Sequence, residues 1–311
     1  MSLNADIAQD RTTVARGQGV GSLIRASVRK YPIVRTVVKS APVQQQIFTW
    51  RALALLRGRP RFVLLQMLGG RVGQYELRRS GLKFHVRHRT GDVAILNKVF
   101  ARNGGRDSYT PPPEVLAAIG STRAPKIFDV GANIGLFGVF ALERWPDAQI
   151  TAFEPDADNR RVLCRTVAAN ALGDRWTVVD KAVSNAVGEL SFVAGLRAEA
   201  HIAATEEIAT ITVPTIDLFE QQGDGVDLIK MDIEGGEWAV LADPRLSALK
   251  TPVIRLEWHT MLCPAIDARA EAIRLLRAGG FTRILDGDFE QPRNGVLWAL
   301  REDPPVASEA P

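Results

Sequence analysis

From Lys126 onward the chain alternates short apolar runs with longer amphipathic ones, and this rhythm constrains the fold more than any other feature. Lys126–Val130, Gln149–Phe153, Trp176–Asp180, Asp227–Met231 and Val253–Glu257 read as strands. Gly131–Glu143 (opened by a Gly-rich turn), Asp156–Asn170, a segment starting at Glu237–Ala242, and Ala265–Ala278 read as the helices between them, with Glu114–Ile119 as a helix before the first strand. Repeated βα units imply a parallel sheet, because only a crossover can return the chain to start a parallel neighbour. Phe281–Leu285 and Val296–Leu300, joined by a short polar loop, close the chain as an antiparallel hairpin. The expected fold is α/β: a Rossmann-like, seven-stranded, mostly parallel sheet with helices on both faces and an antiparallel C-terminal hairpin. Between its third and fourth strands lies a polar stretch with hairpin strands at Glu189–Val193 and Thr210–Val213.

The first third of the chain is different. Residues 1–110 hold 20 Lys and Arg against 5 Asp and Glu, and the remainder holds 19 against 30, so the net charge of +4 conceals two halves of opposite sign. A basic arm of this kind suits an anionic substrate, a membrane surface, nucleic acid or the acidic half of its own chain. Residues 1–20 are polar and aperiodic and read as a mobile leader, without the apolar core of a secretory signal. Residues 21–72 form a basic helical extension broken by Pro32, Pro42 and Pro60. Within it Ile47, Trp50, Leu53, Ala54 and Leu56 share a helical face beside Arg51 and Arg57, a pattern for packing on the main domain, for a homodimer or for lying on a membrane. Tyr75–Arg79 and Leu82–Arg87 read as a hairpin and Asp92–Phe100 as a short helix. No apolar run approaches the roughly 18 residues of a spanning helix. Cys164 and Cys263, the only cysteines, read as reduced thiols and the location as cytoplasmic, with the inner membrane face as an option.

Ligands of such sheets sit beyond the carboxyl ends of the strands. After the first strand the chain reads Asp129-Val130-Gly131-Ala132-Asn133-Ile134-Gly135. This is G-x-N-x-G, without the G-x-G-x-x-G of dinucleotide binders or the Lys-Ser/Thr of a P-loop. Asp129 would repel a pyrophosphate but suits a cationic amine. After the second strand, Ala152-Phe153-Glu154-Pro155 places Glu154 where an acid accepts bonds from ribose hydroxyls. A loop tolerating a cation, an acid reading a ribose and no phosphate cradle point to S-adenosylmethionine.

Three stretches in order, Phe128–Leu136, Ala152–Pro155 and Lys230-Met-Asp-Ile-Glu-Gly-Gly-Glu237, resemble the FkbM-type methyltransferases of class I. Ala168–Asn170, Ala182–Ser184 with Gly188, Thr215–Leu218, Val86–Asp92 and Tyr109 add to the resemblance, which covers about residues 83–300. It implies methyl transfer, usually to a hydroxyl oxygen of a glycan, glycolipid or natural product. In domain terms, residues 73–113 form the hairpin-and-helix region that admits substrate, 114–303 the methyltransferase domain and 304–311 a tail. Cofactor contacts are expected from Asp129, Gly131, Asn133, Gly135, Glu154, Asp180 and Ala182, with Asp180 or the Ala182–Val183 backbone serving the adenine.

The fourth-strand motif crowds Asp232, Glu234 and Glu237 around Gly235-Gly236. There is no Asp/Asn-Pro-Pro-aromatic run there and no Pro-Cys nucleophile, which argues against nucleic-acid bases as acceptors. Asp232, Glu234 and His259 are the candidate catalytic groups, one carboxylate acting as general base. Asp232 with Glu257 and His259 is the alternative, a divalent-metal site, with the metal-independent route preferred. Tyr109, Glu237 and Trp258 are candidates for the acceptor pocket. His85 and His88, in an Arg-rich segment, have a weaker claim to gripping an anion. The rival readings are a nicotinamide-dependent oxidoreductase and a non-catalytic scaffold with a basic arm.

Overall fold

The computed structural model describes residues 41–70, 72–100, 109–120, 124–193, 201–202 and 210–301. The chain divides into two compact units, residues 1–48 and 49–311. The described part of the first is the opening of helix α1 (Ala41–Leu55). The leader at 1–20, the extension up to residue 40 and the tail at 304–311 lie outside the described residues. Among the described residues no helix is long and apolar enough to cross a membrane.

In the second unit, β1 (Leu56–Arg57), β2 (Val72–Leu77) and β3 (Lys83–Arg87) pair antiparallel in that order. Helix α2 (Arg59–Leu68) follows β1, with Pro60 in its first turn, where a missing N–H breaks no helical bond. Phe62 on its inner face packs edge-on against Tyr75 and His88, both ring centroids 5.0 Å away. Helix α3 (Asp92–Phe100) spans the expected residues, and α4 (Pro113–Ile119) leads into the main sheet.

That sheet has seven strands in the order β13-β14-β12-β11-β4-β5-β6. Strands β4 (Lys126–Val130), β5 (Gln149–Phe153), β6 (Trp176–Val179), β11 (Leu228–Met231) and β12 (Val253–His259) are parallel. The hairpin β13 (Arg283–Gln291) and β14 (Asn294–Leu300) adds the antiparallel edge through β12. Residues Leu228–Met231 are all buried, and since side chains alternate, both faces of the sheet centre are covered. Strand order reverses between β4 and β11, and the switch opens a crevice at their carboxyl ends.

Helices α5 (Leu136–Arg144), α6 (Ala157–Ala169), α7 (Leu218–Gln221), α8 (Glu237–Leu241) and α9 (Ala268–Ala278) complete the unit. Helix α9 shows the logic. Asp267 caps it by accepting from Ala270 N–H, and Ala268, Ala272, Leu275 and Leu276 fall at helical spacing on the buried side. Each buried leucine contributes about 2 kcal/mol.

The structure corrects the sequence reading in several places, three of which bear on the site. The third strand stops at Val179, leaving Asp180 beyond it. Helix α5 begins at Leu136, because Gly131–Gly135 is wholly turn. The polar stretch builds a sheet of its own, β7 (Ala182–Ser184), β10 (Thr210–Asp217), β8 (Gly188–Val193) and β9 (His201–Ile202), in the order β7-β10-β8-β9. A three-residue strand such as β7 is too short for alternation to register.

Candidate active site

At the switch point lies a cleft walled by the loops after β4, β5 and β11, by β7 and by α3. The loop after β4 turns on Gly131, whose φ of 76° favours glycine and where a Cβ would strike the Asp232 carbonyl oxygen. Gly131 and Ala132 N–H donate to the Phe153 carbonyl at 3.1 and 3.0 Å, tying the loop to the end of β5. Asn133 holds a left-handed φ of 51°. Its main-chain N–H donates to Glu154 Oε2 at 2.6 Å, while its own Oδ1 accepts from Ile134 N–H at 2.8 Å. Glu154 Oε1 accepts from Asp156 N–H at 2.9 Å. Burial pushes the Glu154 carboxyl up to about 7, against the pull of these bonds. Gly131, Asn133, Glu154 and Ala182 therefore all line the cleft, and Val183 joins them.

Asp129 is placed differently from the expectation of a direct cofactor contact. It is fully buried, it is not part of the cleft wall, and its Oδ1 lies 3.1 Å from Lys230 Nζ. The two are register partners on adjacent strands, so β4–β11 pairing itself forces the contact. Lys230 lines the cleft and also donates to the Gly131 carbonyl at 2.6 Å. Burial opposes its charge, but Asp129 and Asp232 outweigh that and raise its pKa. Asp129 thus acts on the cleft through a lysine. Gly135, with φ 84°, caps α5 against Leu163 outside the cleft.

At the end of β11 the three acids take separate positions. Glu237 is fully buried and its Oε2 accepts from Gly235 N–H at 2.8 Å. Its Oε1 accepts from the His259 main-chain N–H at 2.8 Å and faces His259 Nδ1 at 3.1 Å. On the other side of the ring, Nε2 lies 3.2 Å from Glu234 Oε2 and 3.8 Å from Asp232 Oδ1. Burial disfavours the imidazolium, yet the Glu237 hydrogen bond and the charges of Glu237, Asp232 and Glu234 together push His259 up to about 9. Burial and the neighbouring Asp232 push Glu234 up to about 7. Burial works the same way on Asp232, but Lys98, Lys230, His259 and Arg255 hold its carboxyl well below the usual range. Asp232 and Glu234 face the cleft, with His259 behind them.

Residues 129–282 match the family described as the methyltransferase FkbM domain. The chain carries an FkbM methyltransferase domain. Over 46 residues, 15% of the chain, it is 48% identical to Methyltransferase sdnD of Sordaria araneosa, a stretch that is 18% of that relative. The solved methyltransferase FkbM from Methylobacillus flagellatus KT is similar at 14% identity and TM-score 0.45, over 83% of this chain and 59% of that one. The N-terminal domain of human METTL16 in complex with SAH is similar at 15% identity and TM-score 0.36, over 61% of this chain and 68% of that one. The chain thus spans less than two thirds of the first two of these relatives.

The remaining sequence candidates divide. Tyr109 lines the cleft, with the Arg255 guanidinium 3.7 Å from its ring centroid. Trp258 and Glu237, expected at the acceptor, do not line it. Trp258 belongs to the core and packs over Gly295, its register partner on β14. Asp180 is exposed and outside the cleft wall, while Ala182 and Val183 form that wall. His85 and His88 are buried rather than presented to an anion. His88 Nε2 pairs with the Tyr75 hydroxyl at 2.6 Å and Nδ1 with Gln66 Oε1 at 2.9 Å, and burial pushes its pKa down to about 4.

Sequence reasoning missed Lys98. It reaches from α3 to place Nζ 2.7 Å from both carboxylate oxygens of Glu257, a residue 159 positions away. No local pattern announces such a pair. Burial opposes its charge, but Tyr109, Glu257 and Asp232 push the Lys98 pKa above the usual lysine value. Ligand atoms of Asp232, Glu257 and His259 lie within 4.8 Å of one another, the spacing of a metal trio. One member of the trio, Glu257, is already paired with the Lys98 ammonium, which competes with an ion for that carboxylate.

Proposed function

We propose that this FkbM domain methylates a hydroxyl oxygen of a glycan, glycolipid or natural-product alcohol, with S-adenosylmethionine as donor and without a metal ion. The observation that carries the reading is the shared cleft. Glu154 and the Gly131–Asn133 turn form one end of it, and Asp232 and Glu234 the other. The cleft lining supports this: Glu154 would accept the ribose hydroxyls, Ala182 and Val183 would flank the adenine, and the left-handed Gly131 turn would let main chain approach the amino-acid end. When bound, the donor supplies a methyl group already activated by a sulfonium charge.

The chain's own groups then have limited work. Glu234, with a pKa of about 7, takes the proton of the acceptor hydroxyl as the oxygen–methyl bond forms and the sulfur–methyl bond breaks. His259, held by Glu237, presents its imidazolium to the Glu234 carboxylate. Lys98 and Lys230 keep Asp232 ionised, and Tyr109 narrows the wall beside the reacting atoms. Most of the acceleration comes from holding the two reactants in line.

Calorimetric titration tests the donor: S-adenosylhomocysteine binds and NAD does not. The reverse pattern would replace methyl transfer by hydride transfer. Methylated product formed from a hydroxyl acceptor after exhaustive chelation tests the rest, and loss of turnover restored by magnesium or manganese would overturn the metal-free route.

A further inference from the structure

Helix α2 turns an apolar face outward. Phe62, Leu65 and Gln66 face the β2–β3 hairpin, where Phe62 packs on Tyr75 and His88 and Gln66 bonds His88. On the opposite side Val63, Leu64, Met67 and Leu68 are 36, 55, 74 and 60% exposed. At about 100° per residue these four fill one continuous sector, and Arg59 and Arg61 fall on its two borders. Both arginines are exposed, as is Arg89, whose side chain lies against Gly69 at the end of the helix. No Asp or Glu occurs between residues 11 and 75.

We infer that α2 is a docking surface for an anionic lipid bilayer. The charge pattern selects this occupant. An apolar sector bordered on both sides by arginine matches a membrane interface, where the side chains enter the acyl boundary and the guanidinium groups stay among the headgroups. An uninterrupted basic segment adds attraction to anionic lipid. Four apolar residues anchor weakly by themselves, so binding depends on both contributions and is reversible. This inference stands apart from the methyl-transfer reading, since lipid binding requires neither donor nor acceptor.

The test uses the full chain in flotation assays with vesicles of phosphatidylcholine alone or mixed equally with phosphatidylglycerol. The wild-type chain floats with the mixed vesicles, not with phosphatidylcholine, and is released by high salt. Leu64→Glu with Met67→Glu abolishes flotation, and Leu64→Ser with Met67→Ser reduces it. Arg59→Gln with Arg61→Gln lowers partitioning by about five-fold per charge. Circular dichroism melting and S-adenosylhomocysteine titration show whether the variants remain folded. Wild-type flotation by the Leu64→Glu, Met67→Glu chain would place the lipid contact elsewhere and overturn the inference. So would failure of the wild-type chain to float, including the case in which sedimentation shows this face joining two copies.

Discussion

One carboxylate oxygen of Glu237 meets His259 twice, accepting from its main-chain N–H at 2.8 Å and facing ring Nδ1 at 3.1 Å. The second contact fixes which ring nitrogen points toward Glu234 and Asp232. A fully buried acid at the start of α8 thereby orients a histidine at the end of β12. The ring then titrates as part of a cluster.

Glu237→Gln should uncouple this arrangement. The neutral amide loses the charge that holds the imidazolium and sets an N–H donor against either Gly235 or His259. The His259 pKa falls from about 9 toward the ordinary 6.5, read from its ring resonances by NMR. Leaving a buried donor unmatched costs about 1–3 kcal/mol, seen as a lower Tm. Turnover drops with little change in KM, because Glu237 does not reach the cleft. An unchanged His259 titration would separate the two residues.

The pH profile of methyl transfer follows from the Glu234–His259 pair. Below about 7 Glu234 carries its proton and cannot accept another, so the rate falls as the pH drops. Above about 9 His259 becomes neutral and no longer lowers the basicity of Glu234, so the rate holds on that side. The acidic limb belongs to the coupled pair and not to either residue alone. Glu234→Gln should abolish the acidic limb and lower turnover on the order of 100-fold or more. Retention of the full wild-type profile would remove Glu234 as the base.

Much of this architecture is legible in the sequence because it rests on local rules. The five parallel strands, the closing hairpin and the Gly131 turn announce themselves by alternation, by spacing or by the need for a positive φ. The Asp232–Glu234 corner and Glu154 follow, since acids at the carboxyl ends of strands face the crevice of such a sheet. What the sequence conceals depends on register and long-range packing. Asp129 faces Lys230 because β4 and β11 align those positions, and nothing within either strand says so. Trp258 reads as an aromatic near the site, yet alternation along β12 and Gly295 opposite turn it into the core. Lys98 reaches Glu257 only after α3 has packed.

Two substitutions at the other end of the cleft separate donor binding from chemistry. Glu154→Gln keeps the side-chain shape but removes the charge that accepts from Asn133 N–H and that the proposed reading assigns to the ribose. Binding of S-adenosylhomocysteine weakens about ten-fold, in line with about 1.5 kcal/mol for a hydrogen bond to a charged group. Gly131→Ala must displace the Asp232 carbonyl and hold alanine at positive φ, so titration should detect no binding. Undiminished affinity in both variants would move the donor site away from this loop.

His88 gives the hairpin a pH-dependent stability distinct from catalysis. Its pKa is near 4 in the folded chain against 6.5 when exposed, so the folded state resists its protonation. The unfolded chain takes up the extra proton as pH falls below 6.5, and stability is lost from there until the folded pKa is passed. Tm should decline from pH 6.5 to about 4 more steeply in the wild-type chain than in His88→Gln. Equal slopes would show that the Tyr75–His88–Gln66 chain of hydrogen bonds does not hold the ring neutral.

Lys98→Gln tests whether an ammonium takes the place of a cation. Glu257 is 1% exposed in its side chain, and removing its ion-pair partner costs on the order of 3 kcal/mol. The vacated space lies beside the Asp232, Glu257 and His259 ligand atoms, which are close enough together to share an ion. Magnesium or manganese should therefore raise the Tm of Lys98→Gln and leave that of the wild-type chain unchanged. The increase should grow with metal concentration, since an ion that binds only the folded state stabilises it by mass action. A metal-dependent rise in the wild-type chain as well would mean that the ion displaces Lys98, and the ammonium could no longer be assigned the cation's role.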